Sequence, residues 1–412
     1  MPSYQIGSAK KESSEIAFNR RESLITQLKT RFSTYGYKQI RTSTFESYDL
    51  YTNLSGTVNK DDMVKVIDSS GKVLVMRPDV TIPITRMVVE SEMLEELRYF
   101  YIQDVFHNTS SNGSTERTQA GIECLGSNRP EIDAEVIMLA IHNLKELGFA
   151  NFKIEIGHAG FFKSIIEPAG LSDSEMEQLQ SLIQSKNIVE MVPFLKELTL
   201  SEDLRDAIQA IPMLYGSPRE VMQQIPTSLL NENMRKNLNN LTSIVEILED
   251  YEVGEHIVLN LGLINNMNYY SDVIFQGFVE QVGHPLLMGG RYNQLGDHYG
   301  VDLPAIGFAF EVDLLQQAIQ QKGLLNGVSP MSQLVITYEK NKQKEAFQIA
   351  KLLREETFPV RIYPESMEFS INPTDTKITF TNGVFNITTG EDTQTFHSYQ
   401  ALLNFLKQNG GE

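Results

Sequence analysis

Residues 99–125 read YFYIQDVFHNTSSNGSTERTQAGIECL. Residues 99–106 are rich in aromatic and β-branched side chains, residues 119–125 (QAGIECL) are largely apolar, and a polar loop around Asn112-Gly113 joins them. That combination predicts two strands of a β-hairpin and therefore antiparallel pairing. Upstream, residues 73–76 read as a short strand ending in Arg77-Pro78, residues 37–51 as an extended stretch, and residues 14–35 as an amphipathic helix. In that helix Ile16, Leu24, Leu28 and Phe32 recur on one face and Gly36 supplies the stop. Downstream, residues 131–147 predict a helix with acids in its first turn and Gly148 just past its end, as dipole and capping preferences require.

Phe152, Ile154 and Ile156 alternate as a strand, and residues 161–253 then carry a helical pattern throughout. Strands resume at 257–261 and 272–281, before a Gly-rich turn at Gly289-Gly290 and a helix from about residue 311. The expectation is an α+β domain over residues 1–325, a largely antiparallel sheet with flanking helices and a helical insertion at about 161–253. Residues 332–412 alternate strand and helix and predict a small α/β domain.

Two domains suit a chain of 412 residues. The sequence holds no apolar run near the roughly 20 residues of a membrane span, and no apolar segment follows its N-terminal lysines, so a cytoplasmic protein is expected. A single cysteine, Cys124, excludes an intramolecular disulfide and a multi-cysteine zinc site, and reads as a small buried residue. The net charge of −18 disfavours tRNA as a partner, because nucleic-acid affinity comes largely from Lys and Arg on phosphates. No nucleotide-binding glycine motif, hydrolase elbow or metalloprotease helix is found, and neither a cofactor nor a metal is expected.

Five segments in order resemble the class II aminoacyl-tRNA synthetases, and specifically the histidyl-tRNA synthetase family. YGYKQIRTSTFESYDLY (35–51) resembles motif 1, the dimer-interface element, with Ser43 where the family's proline usually stands. MRPDVTIPITR (76–86) followed by YFYIQDVF (99–106) resembles motif 2. MNYYSDVIFQGF (267–278) and MGGRYNQLG (288–296) resemble the two histidine-specific signatures, and LPAIGFAFEVDLL (303–315) resembles motif 3. The resemblance covers roughly residues 10–320. The 332–412 domain resembles a reduced anticodon-binding domain.

The departures are as informative as the matches. The family's motif 2 arginine corresponds to His107, the motif 3 arginine to Leu314, and the arginine of the first histidine signature to Asn265. Such arginines bind phosphate or carboxylate bidentately and stabilise charge on the α-phosphoryl group during adenylation. Glu311 adds a negative charge to the same region. The amino-acid side is better kept. By the resemblance, Asp79, Thr81, Gln119, Glu123, Tyr270 and Tyr292 hold histidine, and Val80, replacing a glycine, narrows their site. A carboxylate and a tyrosine hydroxyl suit an imidazole, which donates at one nitrogen and accepts at the other.

A histidyl-tRNA synthetase core without these arginines is similar to the regulatory subunits of short-form ATP phosphoribosyltransferase. That resemblance implies no adenylation activity, a separate catalytic partner subunit, histidine as feedback effector, and a hetero-oligomer built on dimers. Three rival readings stand beside it: a divergent histidyl-tRNA synthetase, a paralogue running another acyl-adenylate reaction with replacement cations near His107 and Leu314, and a plain binding protein.

Overall fold

The hairpin strands Leu97–Phe106 and Glu116–Leu125 pair antiparallel along their whole length, with Leu97 opposite Leu125 and Phe106 opposite Glu116. They belong to a nine-stranded sheet in the computed structural model, which describes residues 15–52, 58–91, 95–108, 115–225, 230–264, 270–324, 333–367, 375–381, 384–389 and 392–409. The Asn112-Gly113 turn lies outside the described residues. The sheet order is Lys38–Gln39, Leu97–Phe106, Glu116–Leu125, Ala305–Glu311, Leu287–Arg291, Val273–Val279, Phe152–His158, Ile257–Asn260, Tyr215–Gly216. From Leu97–Phe106 to Phe152–His158 every neighbouring pair is antiparallel. Parallel pairings join Lys38–Gln39 and Ile257–Asn260 to the two ends of that block.

The helices follow from their apolar faces. In Glu15–Thr34, Leu24, Leu28 and Phe32 are buried, and Phe32 packs on Phe100 and Phe308 of the sheet. The side chain of Ile16 lies outside the described residues. Helix Pro130–Glu146 buries Asp133, which forms an ion pair with the buried Arg291. Between Ala159 and Asp250 the chain forms successive helices, among them Ala159–Ile166, Asp173–Gln184 and Glu232–Asp250.

Three local expectations are corrected. Residues 37–51 are not continuously extended: after Phe45–Ser47 the chain turns into a five-residue helix, Tyr48–Thr52, which buries Tyr51. The 161–253 region is not helical throughout, because Tyr215–Gly216 pairs with Ile257–Asn260 as an outer strand of the sheet. Gly289-Gly290 is not a turn but the middle of strand Leu287–Arg291. A Cβ at Gly289 would meet the Gly307 carbonyl at 2.5 Å, and one at Gly290 the Val273 carbonyl at 2.7 Å. Close approach of neighbouring backbones, not turn geometry, requires glycine there.

A three-stranded sheet, Phe45–Ser47, Val73–Met76 and Lys65–Ile67, completes what positions the site. Contacts divide the described residues into two compact units, one within residues 24–324 and one within residues 333–409 together with 15–23. The second unit holds a five-stranded sheet in the order Val360–Pro364, Leu334–Tyr338, Thr376–Thr381, Val384–Thr389, Asp392–Phe396. Its apolar core comes from those strands and from helices Gln343–Glu355 and Tyr399–Asn409.

Candidate functional site

Strand Val73–Met76 ends at Arg77, whose buried guanidinium donates to the carbonyls of Asp104 (2.6 Å), Ser43 (2.7 Å) and Thr42 (3.1 Å). These bonds anchor the chain just before Asp79. The Asp79 carboxylate then accepts from the Ile82 backbone N–H at 2.7 Å, so it serves the N-terminus of helix Thr81–Glu90, where negative charge is favoured. Burial nevertheless raises its pKa to about 6, with the backbone bonds opposing the rise. One residue inside the helix, the Thr81 hydroxyl donates to Glu123 Oε1 at 2.6 Å.

Glu123 is the centre of the arrangement, 2 % exposed. Its second oxygen accepts from the Tyr292 hydroxyl. Burial pushes its pKa up to about 8, while the Thr81 and Tyr292 hydroxyls pull it down and Asp79 adds a small further rise. The carboxyl has room because its cross-strand partner is Gly307: a Cβ there would lie 1.9 Å from Glu123 Oε2.

Asp79, Thr81, Gln119, Glu123, Tyr270 and Tyr292 all line one cavity. Tyr270 packs its ring on Gly290, where a Cβ would come within 2.8 Å of it. Gln119 donates from Nε2 to Glu311 Oε1 at 2.9 Å, bringing Glu311 into the wall. Burial raises the pKa of Glu311. The charged lining groups among the described residues are thus three carboxyls, Asp79, Glu123 and Glu311, with no Lys, Arg or His beside them.

Val80 does not narrow the cavity. It is fully buried in the apolar core beside Tyr51 and Ile82 and is absent from the lining. Sequence reasoning missed Tyr101, a buried wall residue whose ring occupies the space left by Gly121, and it missed Gly307. The available signal was alternation: Tyr101 sits opposite Gly121, two residues from Glu123 on the same face.

His107 and Leu314, two of the three arginine positions, are not among the residues that line this cavity. His107 follows strand Leu97–Phe106 and donates its backbone N–H to the Thr115 carbonyl at 2.9 Å. Burial first, and then Arg117, lowers its pKa below the ordinary histidine value, against a smaller opposing effect of Asp62, so its imidazole is neutral at pH 7. Leu314 is half-buried in helix Val312–Lys322. Asn265 lies outside the described residues. Cys124 is buried and unpaired in any disulfide. Among the described residues there is no group of three or more His, Cys, Asp or Glu that could hold a metal ion, and no helix is long and apolar enough to cross a membrane.

A family model described as histidyl-tRNA synthetase matches residues 11–315. An ATP phosphoribosyltransferase regulatory subunit of Oceanobacillus iheyensis is 44% identical over 396 residues, covering 95% of this chain and 96% of the relative. One from Acetivibrio thermocellus is 35% identical over 346 residues, covering 83% and 82%. The crystal structure of an ATP phosphoribosyltransferase regulatory subunit/histidyl-tRNA synthetase from Bacillus halodurans superposes with a TM-score of 0.78 at 26% identity, over 92% of this chain and 98% of that one. A shared class II synthetase-like fold and an identity of 44% along nearly the whole length lead to one assignment: the chain belongs to the family of ATP phosphoribosyltransferase regulatory subunits, relatives of histidyl-tRNA synthetase.

Proposed function

We propose that this chain is the non-catalytic regulatory subunit of a short-form ATP phosphoribosyltransferase, required for the first step of histidine biosynthesis, and that histidine bound around Glu123 is its feedback inhibitor. One observation carries the reading. The polar set of the amino-acid cavity is assembled around Glu123, while His107 and Leu314 stand where the family has arginines.

An imidazole beside Glu123 and Tyr270 finds a carboxyl at one nitrogen and a hydroxyl at the other. The ligand's ammonium is attracted to Asp79 and Glu311. Adenylation needs positive charge at the α-phosphoryl group, and losing one such donor already costs roughly a hundredfold to a thousandfold in rate. Leu314 offers no donor at all, so the chain does not activate histidine. The remaining parts of the reading are a separate catalytic subunit as partner, work in the cytoplasm, no tRNA, and self-association through residues 41–51. The last is supported by Phe45, which is 50 % exposed on the edge strand Phe45–Ser47.

The test combines purification from the native host with ATP–pyrophosphate exchange. Co-purification of a small phosphoribosyltransferase subunit, inhibited by histidine only when this chain is present, is the expected result. Histidine-dependent exchange by the isolated chain, at rates of ordinary synthetases, would overturn it.

A further inference from the structure

We propose that Arg117 receives the carboxylate of the amino-acid effector, in place of the signature arginine whose position holds Asn265. This deepens the reading of the Glu123 cavity as an effector site and rests on it.

Strand Glu116–Leu125 is paired residue by residue with Leu97–Phe106, so Arg117, Gln119, Gly121 and Glu123 share one face. Two of these, Gln119 and Glu123, line the cavity. Arg117 lies one step further out on the same row, about 6–7 Å from Gln119 along the strand. The flanking strand Ala305–Glu311 ends opposite Gln119, and its chain continues into helix Val312–Lys322. Beside Arg117 no further rung of that ladder stands in the way of its side chain.

The Nε of Arg117 is buried and has no hydrogen-bond partner among the described residues. Its charge acts through space on both neighbours, lowering the pKa of His107 and opposing the rise at Glu311. The unpaired Nε donor leaves room for the partner a guanidinium binds best, a carboxylate that takes two parallel N–H bonds.

The cavity poses the complementary problem. Its charged wall groups are all acids, which suit an imidazole and an ammonium but repel a carboxylate. A histidine with its ring against Glu123 and Tyr270 therefore settles with its carboxylate directed outward past Gln119. Arg117 is the cation on that row of the strand.

The experiment is calorimetric titration of the full chain with histidine and with histidinol, which keeps the ring and the amine but has no carboxylate. The parent protein is expected to bind histidine about tenfold more tightly or better, the size of one charge-assisted hydrogen bond. Arg117→Gln should weaken histidine and leave histidinol unchanged, closing the ratio to within about threefold, and Arg117→Lys should keep part of it. Equal binding of both ligands by the parent overturns the assignment without recourse to any variant, and so does an Arg117→Gln protein that loses both ligands equally. A parent that binds neither ligand overturns the effector cavity itself, and this inference with it.

Discussion

Glu123→Gln should make the protein more stable at alkaline pH and worse at binding histidine. In the native state the Glu123 carboxyl has its pKa displaced from 4.5 to about 8, chiefly by burial. A carboxyl whose pKa is higher in the fold than in the unfolded chain holds an extra proton in the native state between those two values. Stability therefore falls as pH rises through that window and stays low above it. At about 1.36 kcal/mol per pKa unit, the full penalty above pH 8 is on the order of 4–5 kcal/mol. Glutamine keeps the shape that fits against Gly307 and removes the charge, so it relieves that penalty.

Part of the gain is lost again. Above pH 8 the two hydroxyls, of Thr81 and Tyr292, both donate to the ionised carboxylate. The amide of glutamine accepts at only one of its two terminal atoms, so one hydroxyl must rotate and accept instead. That exchange costs about 1 kcal/mol. The assay is thermal unfolding of parent and variant at pH 5, 7 and 9, beside calorimetric titration with histidine. Expected are near-equal melting temperatures at pH 5, a variant clearly more stable at pH 9, and histidine affinity lower by about tenfold or more. Melting curves that run parallel across the pH range would refute the buried, displaced carboxyl, and unchanged affinity would refute its contact with the ligand.

Gly307→Ala places a Cβ 1.9 Å from Glu123 Oε2 and 2.4 Å from the Ile122 carbonyl. We expect a loss of about 1–3 kcal/mol in urea unfolding together with weakened histidine binding. Parent-like values for both would mean that Glu123 does not rest on residue 307. Asp133→Ala leaves Arg291, 1 % exposed, without its carboxylate and should cost about 3–5 kcal/mol. A cost below about 1 kcal/mol in the same measurement would show that the Ser127 carbonyl and Asn293, its other acceptors, are sufficient. Phe45→Glu should convert dimers to monomers in sedimentation, and an unchanged dimer would remove residues 41–51 from the interface.

The hairpin of residues 97–125 was legible because its strands are long, the first is rich in aromatic and β-branched residues, and a turn signal lies between them. Helix Thr81–Glu90 was not, and the reason is local. Six of its ten residues are β-branched and a seventh is Pro83, a composition poor in helix propensity. It forms because Ile82, Ile84 and Val88 bury against the core and because Asp79 serves its first turn. Gly289-Gly290 was misread for a related reason: glycine marks both turns and close backbone approach, and only knowledge of the neighbouring strand distinguishes them. Val80 was assigned to the cavity because it replaces a glycine of the resembling family, whereas at the N-terminus of the helix its side chain is buried in the core.

The same dependence on neighbours explains why the acids and tyrosines of the cavity could be named from the sequence while the cavity itself could not. Three of the groups that turn inward do so against a glycine: Tyr101 against Gly121, Glu123 against Gly307, Tyr270 against Gly290. Two of these pairs are direct cross-strand partners, separated by 20 and 184 positions in the chain. A side chain at any of the three glycines would drive out the group facing it, with contacts of 1.9 to 2.8 Å where van der Waals separation needs well over 3 Å. The hollow is thus a property of strand register, created by missing Cβ atoms, and a one-residue slip of strand Ala305–Glu311 would present Ile306 or Phe308 to Glu123 instead of Gly307. Register is held by the buried apolar residues Ile306, Phe308 and Phe310 on either side of that glycine. Core packing and the cavity around Glu123 are therefore set by one and the same strand alignment, and substitutions that loosen the first should be detected as losses in the second.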